Sequence, residues 1–189
     1  VNVAFPEEVV AEAEQLANAP IPQEEYEKRL DLRSTPIFTI DSAHSKDLDD
    51  AVSLEKTAAG YKLGVHIADV SHYVRPNTPL NTEALDRGTS IYYANHVIPM
   101  LPTSLSNGIC SLNPCEDRLA FSALMELDEN GEIVKYEFRK TVIRSAVKGV
   151  YSEVNQILDG SASQELLDND ELKNEIADLM YHIMVLCAQ

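Results

Sequence analysis

Between Ile37 and Leu54 the chain reads IFTIDSAHSKDLDDAVSL, and this stretch constrains the fold more than any other. Four aspartates, Asp41, Asp47, Asp49 and Asp50, fall within ten residues, with apolar residues on both sides. Ile37–Ile40 has the content of a short strand, and Ala51–Leu54 that of a second. The fold must therefore hold like charges at a strand mouth while keeping the core on either side. Unpaired carboxylates this close raise one another's pKa and cost stability.

Three readings compete: a solvated loop, a calcium loop and a metal site that does chemistry. An EF-hand needs alternating oxygen ligands, a central glycine and a glutamate at position twelve. Asp41-Ser42-Ala43-His44-Ser45-Lys46 does not supply them, and the glycine is absent. A surface loop stays open, since Asp, Ser and Lys are common loop residues. The adjacency of Asp49 and Asp50 before a strand weakens it. A divalent cation would remove the repulsion, and hard oxygen ligands suit Mg²⁺ or Mn²⁺, which keep waters and also bind phosphate. Such a site favours in-line phosphoryl displacement, with one metal activating water and a second, about 4 Å away, stabilising the leaving oxygen. His44 reads as an exposed loop residue or as a ligand, and imidazole would favour manganese or zinc.

The 189 residues suffice for one substantial domain or for part of a larger one. A formal charge of -16 argues against non-specific binding to nucleic acid, because phosphates are neutralised by lysine and arginine. Net charge says little about one cleft, and bound cations invert the local field. Cys110 and Cys115 are five apart, not the two-residue gap of common zinc knuckles, and with Cys187 they read as small buried hydrophobes. Three unpatterned cysteines and no recognisable leader lead to the expectation of a reducing, cytoplasmic compartment. No run is long and apolar enough to cross a membrane.

Residues 1–31 are acidic and read as a helical lead-in or linker outside the core, with helix starts at Pro6-Glu7-Glu8 and Pro22-Gln23-Glu24. Residues 32–189 form the second division. There Tyr61–Val70 reads as a strand, in a hairpin with Ala51–Leu54 across Ala59-Gly60. Thr78-Pro79 opens a helix that carries Leu80, Ala84 and Leu85 and stops near Gly88. Leu119–Leu127 and Ile133–Thr141 alternate, joined by Asp128-Glu129-Asn130-Gly131, which predicts a hairpin. Val150–Leu158 and Ser163–Gln189 read as helices, and the uncapped apolar run IMVLCA at the end predicts a truncated domain. The expected class is α+β, a mixed or antiparallel sheet with packed helices. His66 and Asp69 differ by three and are not expected to form an acid–base pair; His66 reads as a packed or hydrogen-bonded strand residue. No GxGxxG, Walker lysine, GxSxG or HExxH motif is present.

The segment TIDSAHSKDLDDAVSLE resembles the opening motif of the ribonuclease II / ribonuclease R family, whose catalytic unit is the RNB domain. YKLGVHIADVSHYV, the run from Leu80 to Ser122 with GTSIYY and VIPMLP, and TVIRSAVKGVYSEVNQIL resemble further signatures. The resemblance spans roughly residues 30–189 and implies the N-terminal half of a catalytic domain. It implies a 3′-to-5′ hydrolytic exoribonuclease that acts on single-stranded RNA with Mg²⁺ or Mn²⁺ and releases nucleoside 5′-monophosphates. It implies that Asp41, Asp47, Asp49 and Asp50 hold the metals around the scissile phosphate. It implies that Tyr92 stacks on the 3′-terminal base, with Tyr93 as the register alternative. Arg87, His72 and Tyr73 are possible RNA contacts, each with a structural reading beside it. The later half of the domain, with an arginine and a glutamate near the phosphate, and the flanking cold-shock-like and S1 domains have no counterpart here. The chain alone is therefore expected to be inactive or nearly so. The alternatives are a non-catalytic RNA-binding or scaffold module with a structural cation, or a metal phosphodiesterase with another substrate.

Overall fold

The structure, a computed structural model, describes residues 3–93, 96–161 and 163. The helix expected over Ser163–Gln189, its apolar end and Cys187 lie outside the described residues. The chain opens with α1 (Glu7–Asn18) and α2 (Gln23–Lys28), each preceded by a proline and acidic in its first turn. A two-residue strand β1 (Leu30–Asp31) follows, then β2 (Phe38–Asp41), β3 (Asp50–Thr57) and β4 (Gly60–Ala68). Next come α3 (Val70–Tyr73), α4 (Pro79–Arg87), the small ribbon β5 (Ile91–Tyr93) and β6 (His96–Ile98), and a helical turn at Leu105–Ile109. The hairpin β7 (Asp117–Leu127) and β8 (Ile133–Arg144), the strand β9 (Val147–Val150) and α5 (Tyr151–Leu158) complete the described elements.

Seven strands form one mixed sheet in the order β1-β8-β7-β4-β3-β2-β9. The β3–β4 and β7–β8 hairpins give it an antiparallel centre, while the outer pairs β1–β8 and β2–β9 are parallel. The α+β class with a mixed sheet is thus as expected. The β7–β8 turn closes through Gly131, whose backbone N–H donates to Asp128 and whose φ of 81° suits a residue without a Cβ. The Thr78 hydroxyl caps α4 by accepting from Asn81 N, and Gly88 ends it with φ 71°. Leu80 and Ala84 are buried, whereas Leu85 is 73% exposed. Residues 84 and 85 are 100° apart around a helix, and only one of them faces α1.

Residues 1–31 are corrected in part. Val9 and Ala13 of α1 are 2% and 0% exposed and join Leu80, Ala84 and Leu105 in one core cluster. An acidic helix can present such a narrow apolar stripe while its wet face carries the charge. A second cluster lies on the sheet, where Ile37, Leu48, Ala51, Leu112 and Ile143 pack together. On the other side of β2, Phe38 packs against Val154 of α5. The segment between β2 and β3 is therefore strung between two core strands.

Candidate functional site

Asp41 is the last residue of β2 and Asp50 the first of β3, while Asp47 and Asp49 lie on the loop between. Leu48 anchors that loop: its side chain is 2% exposed in the sheet's core cluster. With Leu48 turned inward, Asp49 is left exposed and Asp47 half-buried. The buried Ser111 holds the backbone here, accepting from Leu48 N at 3.0 Å and donating to Lys46 O at 2.8 Å. Leu112 N donates to Leu48 O at 2.8 Å, and Ala68 N donates to Asp49 O at 3.0 Å. Ser111 was not singled out from the sequence, because a lone serine outside a periodic pattern carries no local signal.

The four carboxylates lie within electrostatic reach of one another. Burial first, then Asp47, Asp50 and Asp41, push the Asp49 carboxyl above its ordinary range. Burial also raises Asp41, with Asp50 and Asp47 adding to it, and Thr39 and Lys148 pulling it back. This is the electrostatic signature of a site with too little positive charge. The donor set is all oxygen, which suits a hard divalent cation in kind. Among the described residues, however, no three His, Cys, Asp or Glu side chains are gathered tightly enough to hold an ion. His44 forms no such group with them either.

Tyr92 reaches the cluster from β5. Its hydroxyl donates to Asp47 Oδ2 at 3.1 Å, while the residue is 65% exposed. That bond, followed by burial and the charge of Asp47, raises the Tyr92 pKa. A cavity of about 210 Å³ lies here, lined by His44, Asp47, Tyr92, Thr103 and Asn107 among others. Asp50 opens onto a separate hollow of about 350 Å³ with Tyr151 and Asn155 of α5. A larger cavity, about 530 Å³, lies over Ser53, Gly64 and Leu124, and none of the four aspartates lines it. Charge and exposed aromatic surface, not size, single out the candidate site.

The three possible RNA contacts each have structural partners. Arg87 lies 3.7 Å over the Phe5 ring and donates to Glu83, to Pro99 O and to Ala4 O, so the fold engages its guanidinium. A planar fork with several donors satisfies several acceptors at once. His72 sits edge-on to Tyr73 at 4.8 Å and close to Arg29, Arg75 and Glu25, and burial lowers its pKa. Tyr73 packs on the α1–α4 cluster, and burial raises its pKa to about 12. Both belong to helix packing, not to the aspartate site. Asp69 is buried against Arg29 at 2.8 Å, Lys140 at 3.4 Å and Ser71 at 2.7 Å. His66 is hydrogen-bonded between Ser53 and Ser122 at 3.0 and 2.8 Å, the packed strand residue expected, and burial lowers its pKa to about 4.

Comparison with known proteins converges on one family. The RNB domain matches residues 29–186. Ribonuclease R of Thermotoga maritima is 48% identical over 162 residues, covering 85% of this chain and 23% of that protein. Ribonuclease R of Escherichia coli is 44% identical over 164 residues, covering 86% of this chain and 19% of that protein. The structure of Mycoplasma genitalium RNase R in complex with double-stranded RNA superposes with a TM-score of 0.84 at 31% identity, covering 98% of this chain and 33% of that one. Yeast Ssd1, described as a pseudonuclease, shares the fold with a TM-score of 0.70 at 17% identity over 88% of this chain and 20% of that one. The chain thus spans about a fifth of the length of these two ribonuclease R sequences. No helix among the described residues is long and apolar enough to cross a membrane.

Proposed function

The chain belongs to the RNB domain family, and from that premise we propose that it supplies the metal-binding face of a 3′-to-5′ exoribonuclease active site. The substrate of this reading is single-stranded RNA, and the products are nucleoside 5′-monophosphates. The observation that carries it is the Tyr92–Asp47 hydrogen bond, which sets an exposed aromatic ring beside the aspartate loop. The likeness to a pseudonuclease means that the fold alone does not argue for activity; the acids do.

Asp41, Asp47, Asp49 and Asp50 would hold Mg²⁺, or Mn²⁺ in its place. Once bound, the cation supplies charge neutralisation at the phosphate and an activated water. The rest follows from the chain's own groups. The exposed Tyr92 ring offers a stacking face, which suits a sequence-indifferent enzyme because every base has a π-face. The Tyr92 hydroxyl, held by Asp47, keeps that ring next to the acids, which favours Tyr92 over Tyr93 as the 3′-end residue. The neighbouring aspartates that raise the proton affinity of Asp49 make a negative potential that also attracts a cation.

Several further elements belong to the same proposal. The division at residues 31/32, with 32–189 as the N-terminal half of a catalytic domain, is one. The completing arginine, glutamate and cold-shock-like and S1 modules would come from additional sequence. A cytoplasmic location is supported by the free thiols Cys110 and Cys115. The test is a chimera in which residues 29–186 replace the matching segment of Thermotoga maritima ribonuclease R. End-labelled single-stranded RNA with Mg²⁺ should yield mononucleotides, and Asp49→Asn should abolish them. A folded chimera that releases none, or release that survives Asp49→Asn, would contradict the proposal.

A further inference from the structure

The aspartate loop is suspended from two sides. Ser111 and the buried Leu48 hold its second half. The first half is held by Lys148, more than a hundred residues away. Strand β9 runs parallel to β2 with Lys148 opposite Thr39, two residues before Asp41. From there the Lys148 ammonium donates to Ala43 O at 3.2 Å and to Ser45 O at 2.6 Å. These carbonyls lie on the turn that Ser45 N closes onto Ser42 O at 3.1 Å, with the Ser42 and Ser45 hydroxyls 2.7 Å apart. One cation therefore ties β9 across the turn that separates Asp41 from Asp47.

We propose that Lys148 is a positioning residue of the aspartate site: by bonding the Ala43 and Ser45 carbonyls it sets the separation of Asp41 from Asp47. The inference rests on reading the loop as a cation site. Two observations carry it. An ammonium has three donors and no acceptor, and two of them are placed on backbone oxygens of this loop. The bonded atoms are carbonyls and not carboxylates, so Lys148 fixes the loop without occupying a ligand oxygen. A cation in direct contact with Asp41 would compete with a metal; one bonded two residues further along leaves the carboxylate free. Partners outside the ligand set that orient the ligands are worth about 10- to 100-fold in metal affinity.

The experiment uses the whole 189-residue chain with Mn²⁺ as the probe. Mn²⁺ affinity is measured by electron paramagnetic resonance, and amide hydrogen exchange is followed across residues 42–50. Lys148→Met should weaken Mn²⁺ binding about 10-fold or more and raise exchange over 43–47 while leaving the β7–β8 hairpin protected. Lys148→Arg, which keeps a cationic donor, should recover most of both. Unchanged exchange at 43–47 in Lys148→Met overturns the proposal whether or not metal binds. Raised exchange with unchanged Mn²⁺ affinity also overturns it, since the tie would then be structural only. A wild-type chain that binds no Mn²⁺ would count against the cation reading of the loop, and localised exchange at 43–47, restored by Lys148→Arg, would still sustain the tie.

Discussion

Two groups of aspartate in this molecule have been treated in opposite ways. Asp69 is almost fully buried, yet its pKa is lowered: burial opposes this, but Ser71, Arg29 and Lys140 outweigh it. Asp49 is exposed, yet its pKa is raised by desolvation and by three other aspartates. Burial raises both carboxyls and so does not separate them. Partners decide it: Asp69 has its cations within the fold, whereas at the loop Lys148 bonds backbone carbonyls instead of a carboxylate. A satisfied buried carboxylate holds structure, and a crowded unsatisfied group is a candidate for function. Arg87 and His72 likewise have structural partners.

Removing the partner of the buried acid Asp69 should have the largest effect. Arg29→Leu leaves Asp69 buried with only the half-exposed Lys140 and frees the bonds to Glu25 and Ala120 O. We expect a loss of about 3–5 kcal/mol in urea unfolding. A loss under about 1 kcal/mol would show that Asp69 is solvated on its own, and would remove the contrast.

Next in size is the acid limb of stability. His66, fully buried and lowered to about 4, stays neutral in the fold while the unfolded chain protonates near 6.5. The unfolded state then binds more protons, so this contribution is full above pH 6.5 and lost as pH falls towards 4, on the order of 3 kcal/mol. Asp69 has the same sign at lower pH: its contribution is lost as pH falls through its lowered folded pKa. Asp41 and Asp49 have the opposite sign. Their raised folded pKa values make the metal-free fold less favourable as pH rises through the carboxylate range. Urea midpoints measured from pH 3 to 8 should show a steeper acid limb in wild type than in a His66→Gln variant. Identical profiles would rule out a neutral buried imidazole.

Smaller effects belong to Tyr92. Replacing Tyr92 by Ala should weaken binding of short single-stranded RNA by about 1–3 kcal/mol, the worth of one stacked base. Tyr92→Phe keeps the ring and loses only the bond to Asp47, about 1 kcal/mol. Equal losses in a fluorescence anisotropy titration would mean that the hydroxyl, not the ring, contacts RNA.

Much of this was legible where the signals are local. The β7–β8 turn residues, the Thr78 cap and the strand–aspartate–strand order all lie within a few residues of what they specify. The parallel pairing of β9 with β2, the Ser111 and Lys148 bonds and the Arg29–Asp69 pair join residues 40 to 110 apart, and nothing in their spacing announces them. The burial of Val9 and Ala13 went unread for a related reason: two apolar residues in an acidic helix look like linker until α4 is placed against them. The candidate site was thus readable as a set of acids, and its support was not.

A divalent cation bound at the aspartate loop would relieve the charge that its carboxylates place there. Thermal unfolding of wild type and Asp49→Asn, each with and without Mn²⁺ at pH 7, reads this out. Asp49→Asn should be at least as stable as wild type without metal, and Mn²⁺ should raise the melting temperature of wild type but not of the variant. A variant less stable than wild type without metal, or an equal Mn²⁺ response in both, would contradict it.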